Sequence, residues 1–146
     1  MKRTILIIVV LVIALAGWYG WKLYSEKNPD LKNSDPDFTM DAAALIQAFN
    51  KDSAAASRQY INKIVLVKGM VSKLDTSGVV ALGTTGEMSS VECNIDKRHK
   101  EDLTSIKEGA NVAVKGKCTG FKSETMLDIN LGTTVEMNFC VIQNNK

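Results

Sequence analysis

Residues 90–118 read SVECNIDKRHKEDLTSIKEGANVAVKGKC, in which two runs of alternating apolar and polar residues flank a charged segment. The first run places Val91, Cys93 and Ile95 on one face, and the second, residues 112–118, alternates in the same way. A period of two is typical of a strand with one buried face. The charged segment between the two runs predicts a short helix, where a simple meander would have a hairpin turn. This part of the chain is therefore strand–helix–strand.

Further strands are predicted on both sides of this segment. Residues 63–74 are rich in β-branched residues, and the internal Gly69 is typical of a bulge or a sharp bend. A polar turn at residues 75–78 leads to a second strand at residues 79–82, and residues 126–142 alternate again. The resulting order, strand–strand–strand–helix–strand–strand, predicts a mainly β fold, the five-stranded OB-fold barrel with a short helix between strands 3 and 4.

A helical pair is predicted immediately before the barrel. Phe38 and Thr39 open the first helix, with Thr39 as its N-cap, and an alanine-rich run continues it to Phe49. Asp52 or Ser53 caps the second helix. The apolar stripe of the first helix is expected to dock on the barrel.

The N-terminal residues 1–24 predict a transmembrane anchor. A long apolar run ends in Trp18, Tyr19 and Trp21, whose amphipathic rings favour the headgroup layer, and Lys22 follows them. A helix of about 21 residues spans roughly 30 Å, the thickness of the hydrocarbon core of a bilayer. We therefore expect the chain to be attached to a membrane.

The charges that flank the apolar run predict its orientation. Lys2 and Arg3 precede the run, so the positive-inside bias places the N-terminus in the cytoplasm and the rest of the chain on the far side of the membrane. A cleaved signal peptide is the alternative, since Ala14-Leu15-Ala16 has the A-x-A pattern of a cleavage site that would remove residues 1–16. Both interpretations export the domain.

The remaining chain divides into a linker and a domain. Residues 25–37 are polar, contain two prolines and predict a flexible linker, which leaves residues 38–146 as the OB-fold domain with its N-terminal helices. Without Lys2, Arg3 and Lys22 the chain carries 15 basic and 16 acidic residues. The exported part therefore has no excess of positive charge with which to gather polyanions.

Several segments of the domain form a recognisable set. They are Phe38-Thr39 with its alanine-rich helix, Ile64–Gly69, Val91-Glu92-Cys93, Leu103–Gly109, Val112–Gly120 and Val135–Cys140. With these segments the domain resembles the tRNA-anticodon-like OB-fold family of exported bacterial proteins. The stretch from Phe121 to Thr134 is longer than the usual link of that family. The resemblance implies an OB fold in the cell envelope, and it carries over neither tRNA binding nor catalytic residues. Together with the orientation of the anchor, we expect the domain on the periplasmic side of the bacterial inner membrane.

The three cysteines leave two interpretations open. An oxidising compartment permits one disulfide, and Cys118–Cys140 is the pair expected if one forms. Alternatively all three are small buried hydrophobes, since alternation along the strands places Cys93 and Cys118 on inward faces.

Catalytic chemistry has no candidate residues in this sequence. The single histidine, His99, lies in a charged run, and the chain has no Cys-x-x-Cys, no nucleophile elbow and no phosphate-binding glycine loop. We therefore expect no catalytic residues, no metal, no cofactor and no enzymatic activity.

Binding is the function that the sequence favours. OB folds commonly bind ligands through the loops between strands 1 and 2 and between strands 4 and 5. Here these loops predict Asp75, Thr76, Phe121, Lys122 and Ser123 as ligand contacts. We expect a non-enzymatic envelope module that binds an envelope protein or a glycan. The alternative is an oligonucleotide or another polyanion, which is disfavoured because strands 2 and 3 contain no aromatic residue on which bases could stack.

Overall fold

A computed structural model of the chain describes residues 11–21, 30–83, 88–126 and 129–143. The helices are α1 (residues 11–21), α2 (Ala42–Lys51), α3 (Ser53–Tyr60) and a 3₁₀ helix (Lys97–Ser105). The strands are β1 (Phe38–Asp41), β2 (Ile64–Leu74), β3 (Val79–Leu82), β4 (Ser90–Ile95), β5 (Asn111–Met126) and β6 (Ile129–Gln143).

Five of these strands close into a barrel. They follow one another in the order β2–β3–β4–β6–β5, and β5 pairs back onto β2. The pairing of β4 with β6 is parallel, and the other barrel pairings are antiparallel. The 3₁₀ helix connects β4 to β5. The predicted OB-fold topology is confirmed, including the helix that follows its third strand.

The strand β1 was not expected from the sequence. Phe38–Asp41 pairs in parallel with residues 65–68 of β2, on the side of β2 opposite β5. The prediction that Thr39 is the N-cap of the first helix is therefore wrong, because Thr39 lies within this strand and Asp41 is the N-cap. The cause is a pair of hydrogen bonds just before β1: Asp37 N donates to the Ile64 carbonyl and Ile64 N to Asp37 Oδ2, both at 2.8 Å.

The core fills the barrel and extends to α2 at one side. Val65, Val67, Val80, Leu82 and Val91 are fully buried, as period-two burial of the strands predicts. The α2 residues Leu45, Ile46 and Phe49 join the same apolar cluster. The predicted docking of the apolar stripe of α2 is thus confirmed. Asp52 caps α3, accepting a hydrogen bond of 2.8 Å from Ala55 N.

The last two strands form a long hairpin. The pairing of β5 with β2 ends at Lys117, but its pairing with β6 continues to Met126 opposite Ile129. The stretch from Phe121 to Thr134, which the resemblance suggested to be a long link, is this two-stranded extension. We call residues 119–126 with residues 129–136 the arm. The two residues between the strands, 127 and 128, lie outside the described part of the chain.

Residues 30–37, which belong to the predicted flexible linker, contact the barrel, and we call them the strap. Leu31 is only 1% exposed. The buried Lys115 of β5 donates from Nζ to the carbonyls of Lys32 (3.1 Å) and Ser34 (2.7 Å). His99 Nε2 lies 3.0 Å from Asp30 Oδ1. The part of the chain that packs against the barrel therefore begins by residue 30.

The described part of the predicted anchor is the helix α1. Its large apolar side chains are exposed, among them Trp18 (61%), Tyr19 (63%) and Trp21 (70%). Residues 1–10 and 22–24 of the predicted anchor, Lys22 among them, lie outside the described residues. Among the residues that the structure describes, no helix is long and apolar enough to cross a membrane.

The three cysteines are free and buried in the structure. The disulfide expected if one forms, Cys118–Cys140, is absent, since both cysteines are free. Cys93 and Cys118 are each opposite Met137 in the register of their strands, and Cys140 is opposite Ile95, so all three side chains belong to the core. The interpretation of the cysteines as small buried hydrophobes describes this arrangement.

Gly116 of β5 is predicted to be intolerant of any side chain. A Cβ at this position would overlap the buried sulfur of Cys140, whereas a Cβ at Gly120 would lie 3.9 Å from its nearest neighbour, Glu136 Oε2. We expect Gly116→Ala to lower the free energy of unfolding by about 1–3 kcal/mol. Gly120→Ala should change it by less than about 0.5 kcal/mol. Urea unfolding of the full-length chain measures both, and equal midpoints for the two variants would contradict the prediction.

Candidate functional site

The turn between β2 and β3 carries the first two predicted ligand contacts. Asp75 and Thr76 are exposed there. Asp75 Oδ1 accepts a hydrogen bond of 2.9 Å from Ser77 N, and this bond holds the pKa of Asp75 below its usual value. Lys100 of the 3₁₀ helix donates to the Ser77 carbonyl at 2.8 Å. The turn is therefore held by its own carboxylate and by the 3₁₀ helix, and its exposed residues Asp75, Thr76 and Ser77 are polar.

The other predicted contacts do not lie in a loop. Phe121, Lys122 and Ser123 are paired residues of β5 in the arm, opposite Val135, Thr134 and Thr133 of β6. The sequence Phe-Lys-Ser-Glu-Thr suggested a polar loop because it does not alternate strictly between apolar and polar residues. Strict alternation is not required in the arm, which extends beyond the barrel. The prediction of a loop at these residues is wrong.

The side chains of these three residues have different environments. The Phe121 ring is 5.0 Å from the ring of Phe49 in α2, so it packs against the helix rather than facing solvent as a free contact. Lys122 Nζ forms an ion pair of 2.5 Å with Glu136 Oε1, whose hydrogen bond raises the pKa of Lys122. Ser123 lines a 350 Å³ cavity between the arm and the junction of α2 with α3.

The two predicted groups of contacts are far apart. Asp75 lies just after the C-terminal end of β2. Phe121 lies near the N-terminal end of β2, because Cys118, three residues earlier, donates its N–H to the carbonyl of Lys63. The 11 residues of β2 separate them. The structure does not bring these residues together into one site.

The outer face of the barrel has two facing carboxylates at the position where OB folds commonly bind nucleic acids. Glu92 of β4 is directly opposite Glu136 of β6 in the parallel register. Glu92 and Asn94 are exposed on β4, and the half-buried Val79 and Ala81 alternate with buried residues on β3. Neither strand has an aromatic residue. Lys122, which is ion-paired with Glu136, and the exposed Lys73, which is opposite Ala81, offset these carboxylates. The strands β3 and β4 therefore offer no aromatic ring on which bases could stack, and the face around them has no excess of positive charge.

A larger concavity lies elsewhere, and the sequence did not predict it. A cleft of 710 Å³ is bounded by the start of α2, the middle of β2, the start of β5 and the end of β6. Ile46, Met70, Val112 and Ile142 supply apolar surface in this cleft. Its polar lining residues are Asp41, Lys68, Ser105, Asn111 and Gln143. Apolar walls with a few polar groups, at a volume of this size, are typical of ligand sites.

Gly69 is the one sequence signal that relates to this cleft. A Cβ at Gly69 would be only 3.0 Å from Ala42 Cβ, so the glycine allows the start of α2 to lie close against β2. The sequence indicated a bulge or bend at this glycine, whereas the register of β2 with β3 shifts between Val71 and Lys73. The glycine lines the cleft together with Ala42 and Met70.

The buried thiols have little capacity for chemistry. Burial raises the pKa of Cys118 to about 11, and burial also raises the pKa of Cys140 well above its usual value, with the neighbouring Cys93 acting in the same direction. These groups are therefore protonated thiols at neutral pH, and the thiolate is the reactive form. Among the described residues, no group of three or more His, Cys, Asp or Glu side chains could hold a metal ion.

Comparison with known proteins gave one family and several structures. The sequence pattern of the family described as tRNA_anti-like matches residues 1–130. A search of curated proteins gave no match. A presumed nucleic acid-binding lipoprotein of Klebsiella pneumoniae subsp. pneumoniae is similar in structure, with a TM-score of 0.52 at 16% identity over 72% of this chain and 91% of that chain. A presumed aspartyl-tRNA synthetase of Leishmania major has a TM-score of 0.43 at 11% identity over 78% of this chain and 22% of that chain.

The carboxylate of Asp96, at the start of the 3₁₀ helix, is predicted to stabilise the fold in a pH-dependent way. It accepts hydrogen bonds from the side chain and backbone N–H of Arg98, and mainly the side-chain bond lowers its pKa from 3.8 to about 2. A depressed pKa in the folded state adds stability above pH 4 that is lost as the pH falls through 2.

We therefore expect Asp96→Asn to lower the free energy of unfolding by about 1 kcal/mol at pH 7. The difference from the wild type should shrink between pH 4 and pH 2, as urea unfolding at a series of pH values would show. Glu101→Gln, which alters an exposed carboxylate of the same helix, is the control. A difference that stays constant down to pH 2 would contradict the assignment.

Proposed function

This chain belongs to the tRNA_anti-like family, and from that premise we propose that it is a membrane-anchored envelope module that binds a partner without catalysing a reaction. The observation that carries the proposal is the 710 Å³ cleft beside α2, because it is the described concavity whose size and lining fit a ligand site. A protein segment with apolar side chains is the partner that fits best.

The lining of the cleft favours a protein over a glycan or a nucleic acid. Its apolar walls, which include Ile46, Met70 and Ile142, can bury apolar side chains, and its polar rim can bind a peptide backbone. None of its lining residues is aromatic, so bases have no ring on which to stack. Asp41 and Lys68 also balance each other in charge, which leaves no excess positive field for a polyanion.

The membrane anchor is supported by the exposure of α1 and by the apolar run that contains it. Trp18, Tyr19 and Trp21 expose more than half of their surface, which is unfavourable in water and favourable at a headgroup layer. The strap also ties the chain to the barrel from residue 30 onward, so the barrel stays close to the segment that would be anchored. The name of the Klebsiella neighbour, a lipoprotein, agrees with an envelope location.

The alternative function is the binding of nucleic acid or another polyanion. It is favoured by the family and by the name of the Klebsiella neighbour, which includes nucleic acid binding. The absence of aromatic residues on β3 and β4 disfavours it on the outer barrel face, since bases have no ring there on which to stack.

The anchor is tested by fractionating cells that produce the full-length chain. We expect the protein in the membrane fraction, resistant to 1 M salt and released by detergent, because the apolar segment inserts into the bilayer. Its intact mass should be that of the full chain. A soluble protein whose mass begins at Gly17 would show that the signal-peptide alternative holds instead.

The cleft is tested by placing a photo-crosslinking amino acid at Asn111, an exposed residue of the cleft rim. We expect a protein adduct in envelopes, and its yield should fall at least fivefold when the half-buried Val112 is also changed to Arg. The matched control carries the crosslinker at Glu101, exposed on the 3₁₀ helix away from the cleft lining. Equal adducts at the two positions would exclude the cleft as the site.

The alternative function needs its own measurement. We expect no association of the purified protein with a 15-nucleotide single-stranded oligothymidylate at 50 mM salt. Tight association that weakens steeply as salt rises would support polyanion binding and contradict our proposal.

A further inference from the structure

The arm leaves one edge of β5 without a neighbour. From Asn111 to Lys117, β5 pairs with β2, and the backbone of Cys118 still bonds to Lys63 and Asn62. From Thr119 to Met126, β6 lies on one side, and in the described part of the chain no strand lies on the other. An open edge of this length presents backbone donors and acceptors to another strand.

The direction of these backbone groups follows from a contact of the opposite strand. Thr133 N donates to Ser89 Oγ at 3.1 Å, so the backbone of Thr133 points away from β5. Ser123 is opposite Thr133. In an antiparallel ladder both residues of such a pair turn their N–H and C=O groups outward. The N–H and C=O of Ser123 are therefore directed to the open edge, near the middle of the free stretch 119–126.

We propose that two copies of this chain pair antiparallel through this edge, about a two-fold axis at Ser123. The axis makes Ser123 and Ser123 of the second copy a hydrogen-bonded pair, and it places Lys122 opposite Glu124 of the second copy. Lys122 and Glu124 are both exposed, and two equivalent charge pairs form because the contact is symmetric. Opposite charges at facing positions of neighbouring strands stabilise a pairing, and like charges destabilise it.

This register is favoured over the alternatives that the edge offers. Parallel pairing in register would place Lys122 opposite a second Lys122. An antiparallel register shifted toward Cys118 is not available, because the N–H and C=O of Cys118 already bond to Lys63 and Asn62 of the same chain. In the proposed register Lys122 retains Glu136 of its own chain and gains Glu124 of the second copy, so the cation lies between two carboxylates. The contact does not depend on the cleft or on the proposed partner.

A single cysteine at the axis tests the geometry. Cα atoms of a hydrogen-bonded antiparallel pair are about 5.5 Å apart, within the range that a disulfide bridges. We expect Ser123→Cys to form a crosslinked dimer under mild oxidation of the full-length chain in detergent. Thr119→Cys is the control, because the two copies of residue 119 would be about 27 Å apart across the axis. The native cysteines are buried and should not contribute. Equal crosslinking of the two variants would overturn the proposal.

The charge pairs are tested by complementation. In a dimer of the Lys122→Glu variant, both facing pairs consist of two carboxylates. In a dimer of the Glu124→Lys variant, both facing pairs consist of two ammonium groups. We expect each variant to weaken the dimer about tenfold, and an equimolar mixture of the two to recover to within about threefold of the wild type. Mass photometry or sedimentation of the full-length chain in detergent measures this. A wild-type protein that stays monomeric, or a mixture that does not recover, would overturn the proposal.

The backbone pair has its own variant. Ser123→Pro removes the outward N–H, which β6 does not use, so the arm should remain folded while the dimer weakens. Ser123→Ala keeps the N–H and should dimerise as the wild type does. Similar dimerisation of the two variants would show that the contact does not run through this edge.

Discussion

Closure of the barrel depends on the pairing of β2 with β5. Residues 64–70 of β2 bond to residues 111–117 of β5 on one side, while β1 and β3 share the other side of β2. This single strand therefore has neighbours along nearly its whole length on both sides. Because its edges are occupied, the helices must pack on the ends and flanks of the barrel, and α2 does so beside Gly69.

The same closure explains where the chain offers surfaces to other molecules. The approach of α2 to β2 leaves the cleft between the start of α2, the start of β5 and the end of β6. At the other end, β5 outruns β2 after Lys117 and continues only with β6, which leaves the open edge of the arm. The cleft thus follows from the approach of α2, and the open edge follows from the extension of β5 past β2. Neither surface coincides with the polar turn at residues 75–78.

The sequence predicted the barrel because its strands have one buried face. Val91, Cys93 and Ile95, which the alternation places on one face of the strand, are completely or nearly completely buried in the structure. It did not predict β1, whose four residues are held by hydrogen bonds of Asp37 to a residue 27 positions later. It also missed the strap, although Leu31, the one apolar residue between two charged and polar stretches, was the available signal. A polar segment such as the strap is typical of a flexible linker. Its attachment to the barrel depends on Lys115, which lies far away in the sequence and binds the carbonyls of the strap.

The candidate site was beyond prediction for a related reason. The cleft collects residues from Asp41 to Gln143, contributed by five separate parts of the chain, and no short motif contains them. The prediction of contacts at Phe121, Lys122 and Ser123 rested on the loop between strands 4 and 5, through which OB folds commonly bind ligands. Here the same residues extend the sheet. The expectation was therefore right that Lys122 and Ser123 are exposed, but it was wrong about Phe121 and about the structure of the segment.

The proposed anchor and the proposed dimer constrain each other. Two chains in one membrane can be related by a two-fold axis only if that axis is normal to the bilayer. The strands of an antiparallel pair are perpendicular to their two-fold axis, so the arm would lie parallel to the membrane surface. The nine steps from Trp21 to Asp30 reach about 30 Å when fully extended. The strap fixes Asp30 at His99, so the 3₁₀ helix must stay within that distance of the anchor while the arm remains free to meet its copy.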